Sequence, residues 1–337
     1  MSRILCFGEL LMRLTPGTDA GWLHQQSLPA FIGGAELNTA TALAVWGLPV
    51  SYCTVLPDHY LTKGIIDSLN EKDIDTAKIK LQGKRMGIYY LPQAADLKAA
   101  DAIYDREYSS FWQLKPGELD WDFLFDGVSW FHISAISPAL NENLAAVCEE
   151  AVRIAFRKNI RISIDLNYRS KLWQYGKSPA DIIPSLVEYC DLVMGNLWAE
   201  EKMLGIPVNQ LPGTKEAYLA ESHRISSIIA KRFASCQQVA NTFRFENAGA
   251  VTYYATLYKN TELFVSPSFS TNHALDKVGS GDTFMAGLIY GNYTGLSAQT
   301  TIDFSAAAAV DKLFIKGDAT TSGIEQIKQR TCQIQSE

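Results

Sequence analysis

The run Asp276-Lys277-Val278-Gly279-Ser280-Gly281-Asp282, continuing into Thr283-Phe284-Met285-Ala286-Gly287, holds the residues best suited to chemistry in this 337-residue chain. Two glycines around a serine let successive backbone N–H groups converge where a helix begins. The unpaired amides and the dipole of a helix N-terminus favour an anion there. Asp282 stands beside that point. Its carboxylate can take the proton from an alcohol while the amides around Gly279, Ser280 and Gly281 neutralise charge growing on a phosphoryl group in transit. Phosphoryl transfer to a hydroxyl is the chemistry this implies. The competing reading makes Asp282 a plain helix cap and the glycines an ordinary turn. Neither Walker A spacing nor a good dinucleotide fingerprint is present, since Phe284 stands where the third glycine would be needed.

A second glycine turn, Phe31-Ile32-Gly33-Gly34-Ala35-Glu36-Leu37-Asn38, also opens a helical pattern. It lets the backbone approach a ligand closely and offers the Asn38 amide from the first turns. The elements that must position these loops follow from the apolar pattern. Short apolar runs at 4–8, 129–134, 160–165, 192–196 and 238–242 predict central strands. Helical periodicity marks 36–46, 62–70, 141–158, 180–189, 217–233, 283–292 and 297–315. Strands alternating with helices imply an α/β fold: a doubly wound, mainly parallel sheet with helices on both faces. Ligands gather at the carboxyl ends of such strands, so Glu9, residues 165–169, Asn196 and the Gly279 loop are expected to converge. Residues 11–15 and 87–107 break the alternation. The latter reads as two strands joined across 92–101, and both segments suit a separate small sheet. There is no internal repeat, and the alanine run at 306–309 marks close packing within a helix.

Composition narrows the partners. A 47% hydrophobic content supports a large core, and a net charge of −6, from 30 basic against 36 acidic residues, leaves no basic footprint for nucleic acid. No apolar stretch reaches the length of a membrane span and the amino end runs directly into a strand, so the expectation is a cytoplasmic protein with a small-molecule partner and no membrane. Cys6, Cys53, Cys148, Cys190, Cys236 and Cys332 form no Cys-x-x-Cys pair, which suits reduced thiols rather than metal ligation.

Taken together, Gly8-Glu9, the Gly33-Gly34 turn with Asn38, and the late Gly-Ser-Gly-Asp loop resemble the ribokinase (pfkB-type) family of sugar kinases over essentially the whole chain. The resemblance implies that Gly33, Gly34 and Asn38 contact the sugar. Gly279, Ser280 and Gly281 would form the anion hole, and Asp282 would be the base toward the hydroxyl receiving the γ-phosphate of ATP. It also implies one ribokinase-like domain over 1–337 with a small β-sheet lid, whose place corresponds to segments at about 10–32 and 85–110. ATP, and Mg²⁺ entering with it, are the implied cofactors, and a requirement for a monovalent cation stays open. A homo-oligomer paired through the lid sheet is a further expectation.

Asp165-Leu166-Asn167-Tyr168-Arg169-Ser170-Lys171-Leu172-Trp173 and Tyr104-Asp105-Arg106 resemble the 2-keto-3-deoxygluconate kinase branch. Arginines at strand ends offer planar forks for a carboxylate, which a neutral-sugar kinase would not need. Tyr89 and Tyr104 add hydroxyls and an apolar wall. The alternative pairs Arg169 with Asp165, and Arg106 with Asp105 or Glu107, in salt bridges of no functional meaning. Arg13 stands where many neutral-sugar members carry an Asp, and Gly317-Asp318 resembles a late segment of the same branch, adding Asp318 as a substrate contact. Asn167, Asn196, Thr242 and Arg244 are expected at the nucleotide, together with Gly279 and Gly281.

Some positions depart from the family pattern. Asn196 is followed three places later by Ala199 rather than Glu, so Glu200 is the nearest carboxylate for water around magnesium, or else part of a solvated face. Asp58 lacks its usual preceding glycine. Arg244 replaces a glycine at the entry to the nucleotide loop, reaching either phosphate or Glu246. Two other functions compete: a neutral-sugar (fructose- or ribose-type) or nucleoside kinase of the same fold, and a sugar-binding regulator without catalysis. A dinucleotide-dependent oxidoreductase is disfavoured, because no glycine fingerprint follows the first strand.

Overall fold

The computed structural model describes residues 2–17, 20–92, 102–210, 213–247 and 249–336. Residues 93–101 of the expected strand connection lie outside them, as do residues 18 and 19 of the first small-sheet segment. At the centre is a ten-stranded sheet. Six strands run parallel to Arg3–Phe7 or to its neighbours. On one side Arg3–Phe7 pairs with Val50–Cys53, which pairs with Ile74–Asp75. On the other side come Val128–Ser134, Arg161–Asp165, Leu192–Gly195 and Gln238–Asn247 in order. The sheet therefore winds outward in both directions from Arg3–Phe7, and the crevice beyond its carboxyl end is the switch point where such folds bind ligands.

All five predicted central strands form, within a residue or two at each end apart from the last. Gln238–Asn247 runs past its predicted end because it folds back antiparallel on Ala250–Lys259, which then pairs with Glu262–Val265 and Phe269–Thr271. These antiparallel strands escaped the sequence reading because their alternation is masked: Tyr253, Tyr254, Ala255 and Leu257 are all buried, so both faces of Ala250–Lys259 are covered.

Period-two alternation divides the core between the two faces of the sheet. Leu5, Phe7, Phe131, Ile133, Ile162, Ile164, Val193 and Val239 point to one face, where helices Glu142–Arg157, Pro179–Val187 and Lys215–Arg232 cover them. Ile4, Cys6, Trp130, Leu192, Met194 and Ala240 point to the other, under helices Ala35–Val45, Ser280–Thr294 and Ala298–Lys312. A separate four-stranded sheet, ordered Ala30–Gly33, Leu11–Leu14, Gly87–Tyr90, Ile103–Asp105, stands over the carboxyl ends of the main strands. The sequence placed three of these strands and read Ala30–Gly33 as part of a turn. Pairing with Leu11–Leu14 makes it a strand instead.

Helix Ser280–Thr294, which carries Asp282, is fixed by an unusually close approach to Ala298–Lys312. A Cβ added to Gly287 would come 2.6 Å from the Ser305 Cα, so the helices meet backbone to backbone. Gly287→Val should therefore lower the free energy of unfolding by about 1–3 kcal/mol or more through overpacking. A urea titration showing an unchanged midpoint would contradict this packing.

Candidate active site

A cavity of about 630 Å³ opens at the switch point, between the carboxyl ends of the main strands and the small sheet. That is the size range of small-molecule sites. Glu9, Asp165, Asn196 and Thr242 enter it from the ends of parallel strands or just beyond them, as the topology demands. Gly34, Asn38, Tyr89, Tyr104, Arg106, Asn167, Arg169, Arg244, Gly279, Ser280, Gly281, Asp282 and Asp318 line it too. Two predicted residues do not. Gly33 ends a small-sheet strand against the Asp318 carboxylate, one residue away from the lining. Glu200 lies outside.

The glycine turn has the backbone its chemistry needs. Gly279 caps helix Ser280–Thr294 in the left-handed region, at φ 78°, and a Cβ there would come 1.7 Å from the Asp318 carbonyl oxygen. Only glycine permits both the turn and the contact. The first amides of a 15-residue helix are thus presented to the cavity. The Ser280 hydroxyl donates to the Ala309 carbonyl at 2.9 Å, tying the turn to the neighbouring helix rather than offering itself as a ligand.

Asp282, buried in the first turn, accepts a hydrogen bond on Oδ2 from Asn38 Nδ2 at 2.7 Å. The Thr39 hydroxyl donates to the Asp282 carbonyl at 3.2 Å, so the second glycine helix grips the first at this point. Burial pushes the Asp282 carboxyl up to about 8, against the Asn38 hydrogen bond and the charge of Arg169, which lower it; the nearby Asp165 adds to the rise. A raised carboxyl that lines a cavity is what a general base requires, whereas burial alone raises Glu200 equally away from the cavity.

The arginines behave differently from one another. Arg106 pairs with neither Asp105 nor Glu107: its Nε and Nη2 reach Glu9 Oε2 at 2.8 and 2.6 Å, with both side chains buried, and the Ser109 hydroxyl also donates to Glu9. Arg169 makes no salt bridge among the described residues, and its one hydrogen bond there is a 3.5 Å contact from Nη1 to the Tyr168 carbonyl. It faces the same cavity as Asp282. Asn167 is held at φ 26° with its N–H on Asp165 Oδ1 at 3.0 Å, an Asx turn that swings residues 167–169 into the cleft. Arg13 is also engaged, 2.7 Å from Asp318 and 2.9 Å from Asp276, stacked over Phe31. Asp318 receives the Tyr89 hydroxyl at 2.6 Å.

At the other end of the cavity, Asn196 caps helix Leu197–Leu204 by accepting from the Ala199 N–H at 2.9 Å. Each helical residue advances about 100° around the axis, so Ala199 lines the cavity and Glu200 turns inward. There Glu200 is fully buried, accepts from Asn241 Nδ2 at 2.6 Å, and is raised to about 8 by burial. It forms part of a core network with Asn241, Ser222 and Thr256, while its Oε2 has no partner among the described residues. Arg244 lies 3.6 Å from Glu246, one of its two expected partners, and also lines the cavity. Among the described residues no cluster of metal-ligating side chains occurs.

Sequence reasoning left three charged residues of this region without a role. Glu9 anchors Arg106, Glu36 accepts from the Ser134 N–H and hydroxyl, and Lys312 is buried beneath the glycine turn.

The sequence profile of the pfkB family carbohydrate kinases matches residues 1–320. The chain belongs to that family. As a pfkB carbohydrate kinase it is similar to a 2-dehydro-3-deoxygalactonokinase of Haloferax volcanii, 26% identical over 328 residues, which span 97% of this chain and 96% of the relative. The crystal structure of a 2-dehydro-3-deoxygluconokinase from Thermotoga maritima matches at a TM-score of 0.88 and 31% identity, over 98% of this chain and all of its own. A 5-dehydro-2-deoxygluconokinase from Geobacillus thermodenitrificans is 23% identical over 281 residues, 83% of this chain and 77% of the relative. This pfkB chain is thus a sugar kinase close to those acting on keto-deoxy sugars, and among the described residues no helix is long and apolar enough to cross a membrane.

Proposed function

We propose that this pfkB kinase transfers the γ-phosphoryl group of ATP to the primary hydroxyl of 2-keto-3-deoxygluconate or a close keto-sugar acid. The observation that carries the proposal is the pairing, in one cavity, of the Asn38-held Asp282 beside the Gly279 turn with an Arg169 that makes no salt bridge among the described residues. The similarity to two keto-deoxy-sugar kinases over nearly the whole chain supports it.

In this reading Asp282 accepts the proton of the substrate hydroxyl as its oxygen bonds to the γ-phosphorus, and the bond from that phosphorus to the bridging oxygen of ADP breaks. The amides at Gly279, Ser280 and Gly281 hold the equatorial oxygens during transfer. Mg²⁺, entering with ATP, supplies charge neutralisation at the phosphates. Asn38 keeps Asp282 aimed, and its Oδ1, which has no partner among the described residues, is an acceptor that a substrate hydroxyl would satisfy. Asn196, Thr242 and Arg244 line the end of the cavity suited to the nucleotide. Because Arg106 commits two of its nitrogens to Glu9, Arg169 takes the main part in binding the acid end, with Tyr104 as a wall. The same commitment of Arg106 favours a neutral-sugar kinase as the second reading, which a panel of acidic and neutral sugars would separate.

Asp282→Asn should reduce turnover by about 10²- to 10⁴-fold, the range for a lost general base, while sugar-acid binding by calorimetry stays largely intact. Near-normal turnover would reject Asp282 as the base. Arg169→Leu should raise KM for the sugar acid about 10- to 100-fold, the worth of a charge-assisted hydrogen bond, and leave neutral sugars little affected. Equal losses on both would make the arginine structural. The base must be ionised, and burial raises Asp282 to about 8. The profile of kcat/KM should therefore climb with pH to a plateau above about 8 and fall about tenfold per unit on the acid side. A profile flat across neutrality would argue against this protonation state.

A further inference from the structure

Lys312 ends helix Ala298–Lys312 and is among the largest side chains wholly out of contact with solvent. A lysine ordinarily threads its ammonium to water, and burying one is costly unless the surroundings answer its charge. Here Nζ donates to the Ile315 carbonyl at 2.9 Å and makes no direct salt bridge among the described residues. The stem packs under the glycine turn: a Cβ on Gly279 would stand 3.5 Å from the Lys312 Cε. The charges that act on the ammonium are Asp276, Asp318 and Asp282, with Arg13 opposing them.

Two of those aspartates build the turn itself, one by its carboxylate and one by its backbone. Asp276 accepts the Val278 N–H on Oδ1 and the Gly317 N–H on Oδ2, both at 3.1 Å, and the Asp318 carbonyl abuts Gly279. Arg13 pairs with both Asp276 and Asp318 but supplies one positive charge against two negative ones. Left so, the turn that must receive a phosphoryl group would be backed by net negative charge.

We propose that the Lys312 ammonium is a tethered internal cation that balances this cluster and lends positive potential to the 279–282 turn from behind, making Lys312 a positioning residue for phosphoryl transfer. The inference rests on the reading of that turn as the anion cradle. Burial lowers the lysine to about 8, which leaves it mainly charged at neutral pH.

The test compares the wild type with Lys312→Met, which keeps the stem and removes the charge, on whichever sugar gives turnover. The expected result is a kcat lower by about 10- to 10²-fold, the scale of one lost electrostatic contact to the transferring group, with KM for the sugar unchanged. Affinity for ADP with aluminium fluoride should fall by a similar factor while affinity for ADP alone holds. Lys312→Ala should recover part of its loss on adding ammonium or methylammonium. Unchanged kcat and unchanged aluminium fluoride affinity in Lys312→Met would overturn the proposal, as would equal weakening of ADP with and without the fluoride. If neither variant folds, the wild type decides: equal kcat in potassium, sodium and tetramethylammonium buffers supports a built-in cation, and strong activation by potassium refutes it. Failure of the sugar-acid assignment stays distinguishable, because binding of ADP with aluminium fluoride does not depend on which sugar is accepted.

Discussion

Removing the Asp282 carboxylate from water while keeping it able to ionise is the constraint on which the remaining structure depends. A bare buried carboxylate is too costly to persist charged, and a solvated one would be a weak base. The fold meets both demands with a single amide from Asn38 and the positive end of helix Ser280–Thr294. The contact spans residues 244 positions apart in the chain, so it forms only when two glycine-led helices meet at the same end of the sheet. The Thr39 contact to the Asp282 carbonyl ties the two together, and the Gly287 packing fixes helix Ser280–Thr294 against Ala298–Lys312.

Around the centre, charge is paired across the gap between the small sheet and the main domain. Glu9 follows a central strand and Arg106 follows a small-sheet strand; Arg13 and Tyr89 come from the small sheet and hold Asp318 and Asp276 beside the glycine turn. Buried pairs of this kind add little net stability, because desolvation offsets attraction, but breaking one costs about 3–5 kcal/mol. Their effect is therefore on orientation: the small sheet can occupy few positions over the cavity without stranding a charge.

Much of this was legible in the sequence, and what was hidden was hidden for physical reasons. Parallel strands announced themselves as short apolar runs, and the Gly-Ser-Gly-Asp loop declared a turn that sets a carboxylate at the cavity. The partner of Arg106 was not readable, since local neighbours Asp105 and Glu107 compete on paper with a Glu9 that only the tertiary fold brings near. Glu200 stands one residue of helical phase beyond Ala199, enough to turn a carboxylate from cavity to core. The strand Ala250–Lys259, covered on both faces, lost the alternation that would have marked it. Lys312, next to Asp311 at a helix end, looks in sequence like an ordinary exposed lysine, and only the tertiary fold buries it.

Three carboxyl groups, Glu36, Glu200 and Asp282, are raised by burial to about 7, 8 and 8. Between their ordinary range and those values the folded chain retains protons that the unfolded chain would have released, so folding near neutrality is coupled to proton uptake. Stability contributed by these groups is complete below the ordinary carboxylate range and is lost as the pH rises from there through about 7 to 8. The acidity that favours the fold thus opposes the ionisation of Asp282.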